Sequence, residues 1–550
     1  MAVALVALAT AAPALADGGG GAGGAQAGLQ GSTTAQTAAG AALSDQNAVN
    51  ANVPVSIAGG NVTGGPSSAT QTATSDATTD VSNKAKTDQD QNLHQNLGGT
   101  GCYAGCGGAG GFQAGVQNAQ TNQLAAGVSS SDQNAVNANV PVSIAGGNVN
   151  AGPSSATQTA SSSATTDVSN KAKTDQDQHL SQDIGGGSCK LGCGGAGGAQ
   201  VGVQNAETDQ AAIGIAKSDQ NAVNANVPVS IAGGNVSSGP SNATQTATSN
   251  ATTDVSNKAK TDQDQHLSQN IGGGSCKLGC GGAGGFQAGV QNANTDQTAI
   301  GIAKSDQNAV NGNSPVSIAG GNVTSGPSNA MQTATSNATT DVSNKAKTDQ
   351  DQHLSQDIGG GSCLAGCGGP GGFQLGVQNA ETNQWALGIA KSDQNAVNGN
   401  SPVSIAGGNI SSGPSGATQT ATSNATTDVS NKAKTDQDQG LKQDIGGKDG
   451  RDCGCKDGHD GHSAGSGGAG GFQLGVQLAS TDQWAAGAAF SDQNAVNSNT
   501  PSSTAGGNIY GNYPSMATQT ATSNAYTDVS NRAKTDQNQW QHQQLPVSRN

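Results

Sequence analysis

Between residues 244 and 266 the chain alternates. Odd positions carry Gln245, Ala247, Ser249, Ala251, Thr253, Val255, Asn257, Ala259, Thr261, Gln263 and Gln265. Even positions carry every charged side chain of the window, Asp254, Lys258, Lys260, Asp262 and Asp264, and end at His266. A period of two is that of an extended strand with two distinct faces. Thr, Ser and Asn, which are poor helix formers, dominate the window. The preceding stretch keeps the same phase. From position 200 to 226 no even residue is charged, and Ala216, Ser218 and Gln220 match Ala259, Thr261 and Gln263. Both stretches therefore predict one slim, amide-bearing face turned inward, because identical amides in adjacent layers form hydrogen-bonded ladders. The candidate ladder residues are Gln204, Gln210, Gln220, Gln245, Asn257 and Gln263.

The opposite parity of the first stretch holds Val201, Val203, Ile213 and Ile215 beside Glu207, Asp209, Lys217 and Asp219. In other copies it holds Phe112, Phe286, Phe373, Phe472, Trp385 and Trp484. The large apolar residues are thus expected outside the small-residue core. They form either a second internal layer against a neighbouring strand or a stripe for lateral association or a partner. Ile231 to Asn235, Gly239 with Pro240, and Gly272 to Gly274 break the alternation and predict turns. Runs of this length exceed ordinary strands, so Gly and Pro are expected to bend each into two or three shorter ones.

The pattern recurs. Ser-Asp-Gln-Asn-Ala-Val-Asn begins at Ser44, Ser131, Ser218, Ser305, Ser392 and Ser491, at intervals of 87 residues and finally 99. A similar string, Ala-Lys-Thr-Asp-Gln, begins at Ala85, Ala172, Ala259, Ala346, Ala433 and Ala533. The aspartate common to both recurs at alternating steps of 43 and 44. Self-similarity at fixed period predicts stacked units sharing one core. The expected fold is all-β, a repetitive β-solenoid or stacked strand-turn architecture of about twelve half-repeats. The corresponding division is a signal peptide at 1–16, a Gly/Ala-rich lead-in at 17–43, and repeats at 44–130, 131–217, 218–304, 305–391, 392–490 and 491–540. Residues 541–550 form a tail, and the fifth repeat carries a 12-residue insert.

Composition narrows the options. The 550 residues include 85 Gly but only 3 Trp, 4 Tyr and 5 Phe, too few large side chains for a conventional core. Backbone hydrogen bonds and small-residue packing must carry the order, and disorder is the alternative for such a composition. The formal net charge is −15 without a basic stripe, which argues against nucleic acid as a partner. Residues 2–16 are apolar and end in Ala14, Leu15 and Ala16, a small-x-small cleavage site that predicts export. No basic residue precedes them, so the translation start is expected upstream. The run is too short to span hydrocarbon, so membrane insertion is not expected.

Ten cysteines form five close pairs, Cys102/Cys106, Cys189/Cys193, Cys276/Cys280, Cys363/Cys367 and Cys453/Cys455. In an exported protein a disulfide within each pair is the expected state, acting as a clasp at the turn. If each half-repeat were a layer, equivalent pairs would lie about 9.6 Å apart, beyond the Cα reach of a disulfide of about 7 Å. Metal binding competes, because His179, His266 and His353 each precede a pair by ten residues. It is strongest in the insert, where Cys453, Cys455, His459 and His462 crowd together among aspartates. No cofactor is expected.

Every polar group recurs as one member of a stripe, which argues against the convergent, chemically diverse pocket that catalysis needs. The chain resembles secreted bacterial functional-amyloid subunits of the curlin and Fap type. The resemblance is carried by Gln/Asn-rich repeats such as Gly202-Val203-Gln204-Asn205-Ala206 and Ser218-Asp219-Gln220-Asn221, with alternating small residues and Gly-rich turns. It implies self-assembly into extracellular fibres or a cell or spore coat. The partner is then the chain itself, followed by other surface or matrix components. An adhesin using the Phe/Trp face is the alternative. Ice binding through the rows Thr244, Thr246, Thr248 and Thr418, Thr420, Thr422 is a third. There the ranks are expected two layers apart.

Overall fold

The computed structural model describes residues 23–98, 102–104, 110–185, 189–191, 197–272, 276–278, 284–359, 371–445, 470–510 and 516–544. Among these there is no helix, and almost every residue lies in a strand. The chain is an all-β solenoid. Each repeat supplies one layer, made of a long outbound strand, two short strands at a turn, and a long return strand. In the third layer these are Gly197–Asn226, Val229–Ala232, Val236–Ser238 and Ser241–Gly272. The outbound strands form one six-stranded parallel sheet and the return strands another. Register is kept without slip: Gln204 lies between Gln117 and Gln291, and Gln263 lies between Gln176 and Gln350.

The alternation of 43 and 44 residues is therefore the two sides of one layer. The half-repeats face each other across the interior, and whole repeats stack. Ser44 falls inside the first outbound strand, Gly23–Asn52, so the layers are phased ahead of the recurring motif.

Two expectations are corrected. The long strands are not bent into shorter ones, but run unbroken for 30 and 32 residues, about 100 Å at ~3.3 Å per residue. Pro228 and Pro240 flank the short turn strands, outside the long runs. The internal glycines serve packing. A Cβ on Gly202 would sit 2.6 Å from Leu267 Cδ1, and one on Gly214 would sit 2.5 Å from Val255 Cγ1. Each glycine is thus the hole that admits a large side chain from the facing sheet.

The second correction follows from this. Large apolar residues also lie inside, in columns along the stack: Leu180, Leu267, Leu354 and Leu441; Ile184, Ile271, Ile358 and Ile445; Val168, Val255, Val342 and Val429. Their odd or even position already matched the interior parity of their strands. Between these columns the interior is Ala, Ser, Thr, Asn and Gln.

Candidate functional site

The chemistry of this molecule is distributed over its interior, its two outer faces and its two ends. Inside, amide side chains make two kinds of bond. Gln204 Nε2 donates to Gln117 Oε1 in the layer below (2.8 Å) and across the interior to the His266 carbonyl (2.9 Å) and the Gln178 carbonyl (3.0 Å). Its own Oε1 accepts from Gln291 (2.9 Å). Gln245 donates to Gln158 Oε1 and the Gly312 carbonyl. Gln210 donates to Gln123 Oε1, Thr174 Oγ1 and the Lys260 carbonyl. Gln263 pairs with Gln176 Oε1 and Thr208 Oγ1, and Asn257 with Asn344 Oδ1 and the Ile300 carbonyl. One proton of each amide extends a ladder, while the other ties one sheet to the other. Such fully satisfied networks are what make a polar interior tolerable.

Gln220 departs from this scheme. It is buried, but its Nε2 donates to Ser218 Oγ of its own strand at 3.4 Å and its Oε1 accepts from Ser249 Oγ. The preceding copy, Gln133, leaves Nε2 without a partner.

The ladders have a direction that sequence alone does not show. Glutamine bonds run toward the first layer, as in Gln113 to Gln26 and Gln473 to Gln374. Interior asparagine bonds run the other way, as in Asn83 to Asn170 and Asn431 to Asn531.

The outer face of the outbound sheet carries the aromatic residues in solvent. Phe112, Phe286, Phe472, Trp385 and Trp484 are exposed, Trp385 at 55%, and Phe373 is half-buried. Phe286, Phe373 and Phe472 stack in a column with centroids 5.3 and 5.2 Å apart, and Trp385 lies 5.3 Å from Trp484. No second internal layer covers them among the described residues.

The outer face of the return sheet is charged and hydroxylated. Lys260 pairs with Asp262 at 3.1 Å on the same strand edge, and the pair recurs as Lys173–Asp175 and Lys347–Asp349. Aspartates of one column lie a single layer apart. Burial, then the neighbouring Asp351 and Asp177, pushes the Asp264 carboxyl up to about 6. Burial, then Asp341 and Asp167, does the same to Asp254, also to about 6. His179, His266 and His353 stack at 5.0 Å. Burial, then the two flanking imidazoles, pulls His266 down to about 4. The next position is Gly440, over which the Trp540 ring folds to reach within 5.7 Å of His353. Among the described residues no group of three or more His, Cys, Asp or Glu side chains is arranged to hold a metal ion.

The threonine rows are also closer than expected. Thr159, Thr246, Thr333, Thr420 and Thr520 are register partners in successive layers, so the ranks are one layer apart and not two. The same correction applies to the cysteines. The backbones of Cys102, Cys189 and Cys276 are direct register partners, about 4.8 Å apart, so the separation argued against bridging between layers does not hold. Cys106, Cys193, Cys280, Cys363, Cys367, Cys453, Cys455, His459 and His462 lie outside the described residues, as does the apolar segment at 2–16.

At each end of the solenoid two long strands have no partner on one side. Among the described residues nothing pairs with the outer edges of Gly23–Asn52 and Ser67–Gly98, or with those of Gly470–Asn499 and Met516–Gln544. No described helix is long and apolar enough to cross a membrane. Comparison with known proteins finds no family model, no curated protein and no solved structure that matches the chain.

Proposed function

We propose that this chain is an exported structural protein that stacks end to end into extracellular fibres or a surface coat. The observation that carries this reading is the complementarity of the two ends. At its interior glutamine columns the last layer repeats the first, with Gln473, Gln477 and Gln483 where the first has Gln26, Gln30 and Gln36. Because glutamine ladders run toward the first layer, that end presents amide N–H groups. The other end presents Oε1 atoms that no described residue donates to. A second copy placed in register continues both the backbone ladder and the amide ladders. Long unpaired edges of this kind are templates for strand addition. Export rests on the apolar segment at 2–16 and its small-x-small end.

Electron microscopy and fibre diffraction of the purified chain test the reading. Concentration-dependent fibres with a meridional reflection near 4.7–4.8 Å are expected. A chain that stays monomeric at every concentration refutes it.

A second reading is favoured by the threonine spacing. Rows of Thr one layer apart, with Thr244, Thr246 and Thr248 along one strand, make a regular hydroxyl and methyl lattice on the return face that could order water as ice does. Thermal hysteresis from the dilute monomer is the expected sign of that activity, and its absence removes the reading.

A further inference from the structure

The outward face of the outbound strand is an approximate mirror of itself in the middle layers. In the third layer, about Ile213 as centre, Ala211 mirrors Ile215, Asp209 mirrors Lys217, and Asn205 mirrors Asn221. Val203 mirrors Val223, and Val201 mirrors Ala225. All of these lie on the parity that points away from the interior. The second, fourth and fifth layers keep the Val–Val and Asn–Asn mirror pairs in register, and the first and last depart from them, with Gly31 opposite Asn47 and Leu478 opposite Asn494.

We infer that this face is a self-complementary interface for a second copy of the chain, related by a twofold axis that runs along the stack through the Ile213 column. Two sheets placed face to face by that axis have antiparallel strands, and each layer meets its own equivalent. Such an isologous contact requires that a residue and its mirror be mutually compatible. Three features meet this requirement.

The first is charge. Asp209 meets Lys217 of the partner copy, and Asp296 meets Lys304. The first and second layers carry neither charge, with Ala35 opposite Leu43 and Asn122 opposite Ser130, while the fifth and sixth carry one each, Lys391 opposite Asn383 and Asp482 opposite Phe490, so the opposite-charge contacts belong to the third and fourth layers. Within one chain Asp209 and Lys217 are eight residues apart, about 26 Å along a strand, so no contact inside the chain accounts for the match. Lys217 also holds Asp219 of its own strand at 2.5 Å and Lys391 holds Asp393 at 2.6 Å, which keeps a cation beside the like-charged pairs, Glu207 opposite Asp219 and Glu381 opposite Asp393.

The second feature is size. Leu375 meets Gly399, so a large side chain faces a gap, and in the layer before it Ala288 meets Gly312. The third is polarity: in the second to fifth layers valine meets valine and asparagine meets asparagine at the flanking positions. The area is also sufficient. The stretch from position 201 to 225 over six layers covers roughly 80 Å by 29 Å, about 2,300 Å² per partner, against about 800 Å² in an ordinary stable complex. The exposed Trp385, Ile215 and Val128 lie within it.

In a fibre this contact gives paired stacks, so the inference deepens the assembly reading and adds a lateral partner to the axial one. The test is a charge exchange in the full chain. Lys217→Glu with Lys304→Glu, and separately Asp209→Lys with Asp296→Lys, remove the opposite-charge contacts. The four substitutions together restore them only across the twofold interface. Sedimentation of dilute protein reads pairing, scanning transmission microscopy reads mass per length of fibres, and circular dichroism checks the fold.

The wild-type chain is expected to pair in dilute solution and to give two chains per axial repeat of about 29 Å. Each double variant should pair roughly tenfold or more weakly, and the quadruple variant should pair like wild type. Fibres with one chain per axial repeat, or a quadruple variant no better than the doubles, overturn the interface and leave the end-to-end reading standing. Dilute dimers that show the exchange rescue but never elongate support the interface and sink the fibre reading.

Discussion

Replacing Gln204 by Leu should weaken the solenoid far more than the same change at Gln30 of the same column. Leucine fills much the same volume, so packing changes little and the amide is isolated as the cause. At position 204 the substitution strands Gln117 Oε1 in a buried site, because its donor is Gln204 Nε2 at 2.8 Å. Leaving one buried acceptor unpaired costs about 1–3 kcal/mol. Gln291 also loses its ladder acceptor, though it keeps the Gln265 and His353 carbonyls, a further loss of about 1 kcal/mol. The expected penalty is therefore about 2–4 kcal/mol. Gln30 stands in the outermost layer and is half-buried. Its Nε2 donates to the Asn92 carbonyl, and Gln117, which donates to it, retains the His179 carbonyl. Water reaches this edge, so the loss should stay below about 1 kcal/mol. Denaturant titration of the monomeric chain, followed by far-ultraviolet circular dichroism, measures both. Equal shifts in midpoint would refute the idea that the ladder works by satisfying buried amides. If the chain stacks end to end as proposed, Gln30 becomes an interior rung, and the difference between the two variants should shrink.

Acidity should act through the aspartate columns. The Asp264 carboxyl is raised from 3.8 to about 6, so its contribution to stability is complete below pH 3.8 and is lost as pH rises through 6. Asp264→Asn should raise the denaturation midpoint at pH 7.5, by about 1 kcal/mol after discounting for its partial exposure, and leave it unchanged at pH 4. A gain of equal size at both pH values contradicts this. His266, lowered from 6.5 to about 4, acts in the opposite sense: its contribution is complete above pH 6.5 and is lost as pH falls toward 4. His266→Gln should therefore protect the fold at pH 4.5 and have little effect at pH 7.5 in the same titration. In the interior, Gly214→Ala should cost about 1–3 kcal/mol by driving a methyl group against Val255 Cγ1. Val255→Ala added to it should recover part of that loss, which a double-mutant cycle would show as a favourable coupling between the two sites.

Much of this architecture is legible in the sequence because a strand has an integral period of two and each repeat preserves it. The charged parity of residues 254–264 and the amide parity of residues 200–226 separate outside from inside without any structure. What parity cannot give is the third dimension. The steps of 43 and 44 residues are compatible either with twelve stacked layers or with six layers of two facing strands. Only the pairing of Gln204 with Gln291, a full repeat away, decides between them. The spacing of the Thr and Cys columns was misjudged for that reason alone. The expectation that Gly and Pro bend the long runs fails for a related reason, since a Gly in a strand and a Gly in a turn look identical until Leu267 and Val255 are seen to occupy the space that Gly202 and Gly214 leave. Once the two sheets are known to face each other, the same substitutions acquire a cause: Gly202 recurs because Leu267 recurs, and Gly214 because Val255 does. The exact repeat is then a consequence of in-register stacking. A residue that fits its neighbour above must also fit the one below, so a departure is best tolerated where the next layer is missing. Leu43, Leu478, Phe490 and Trp540 break their columns in the first or last layer, and the breaks Met331 and Trp385 in inner layers point into solvent, where neighbours above and below constrain them least.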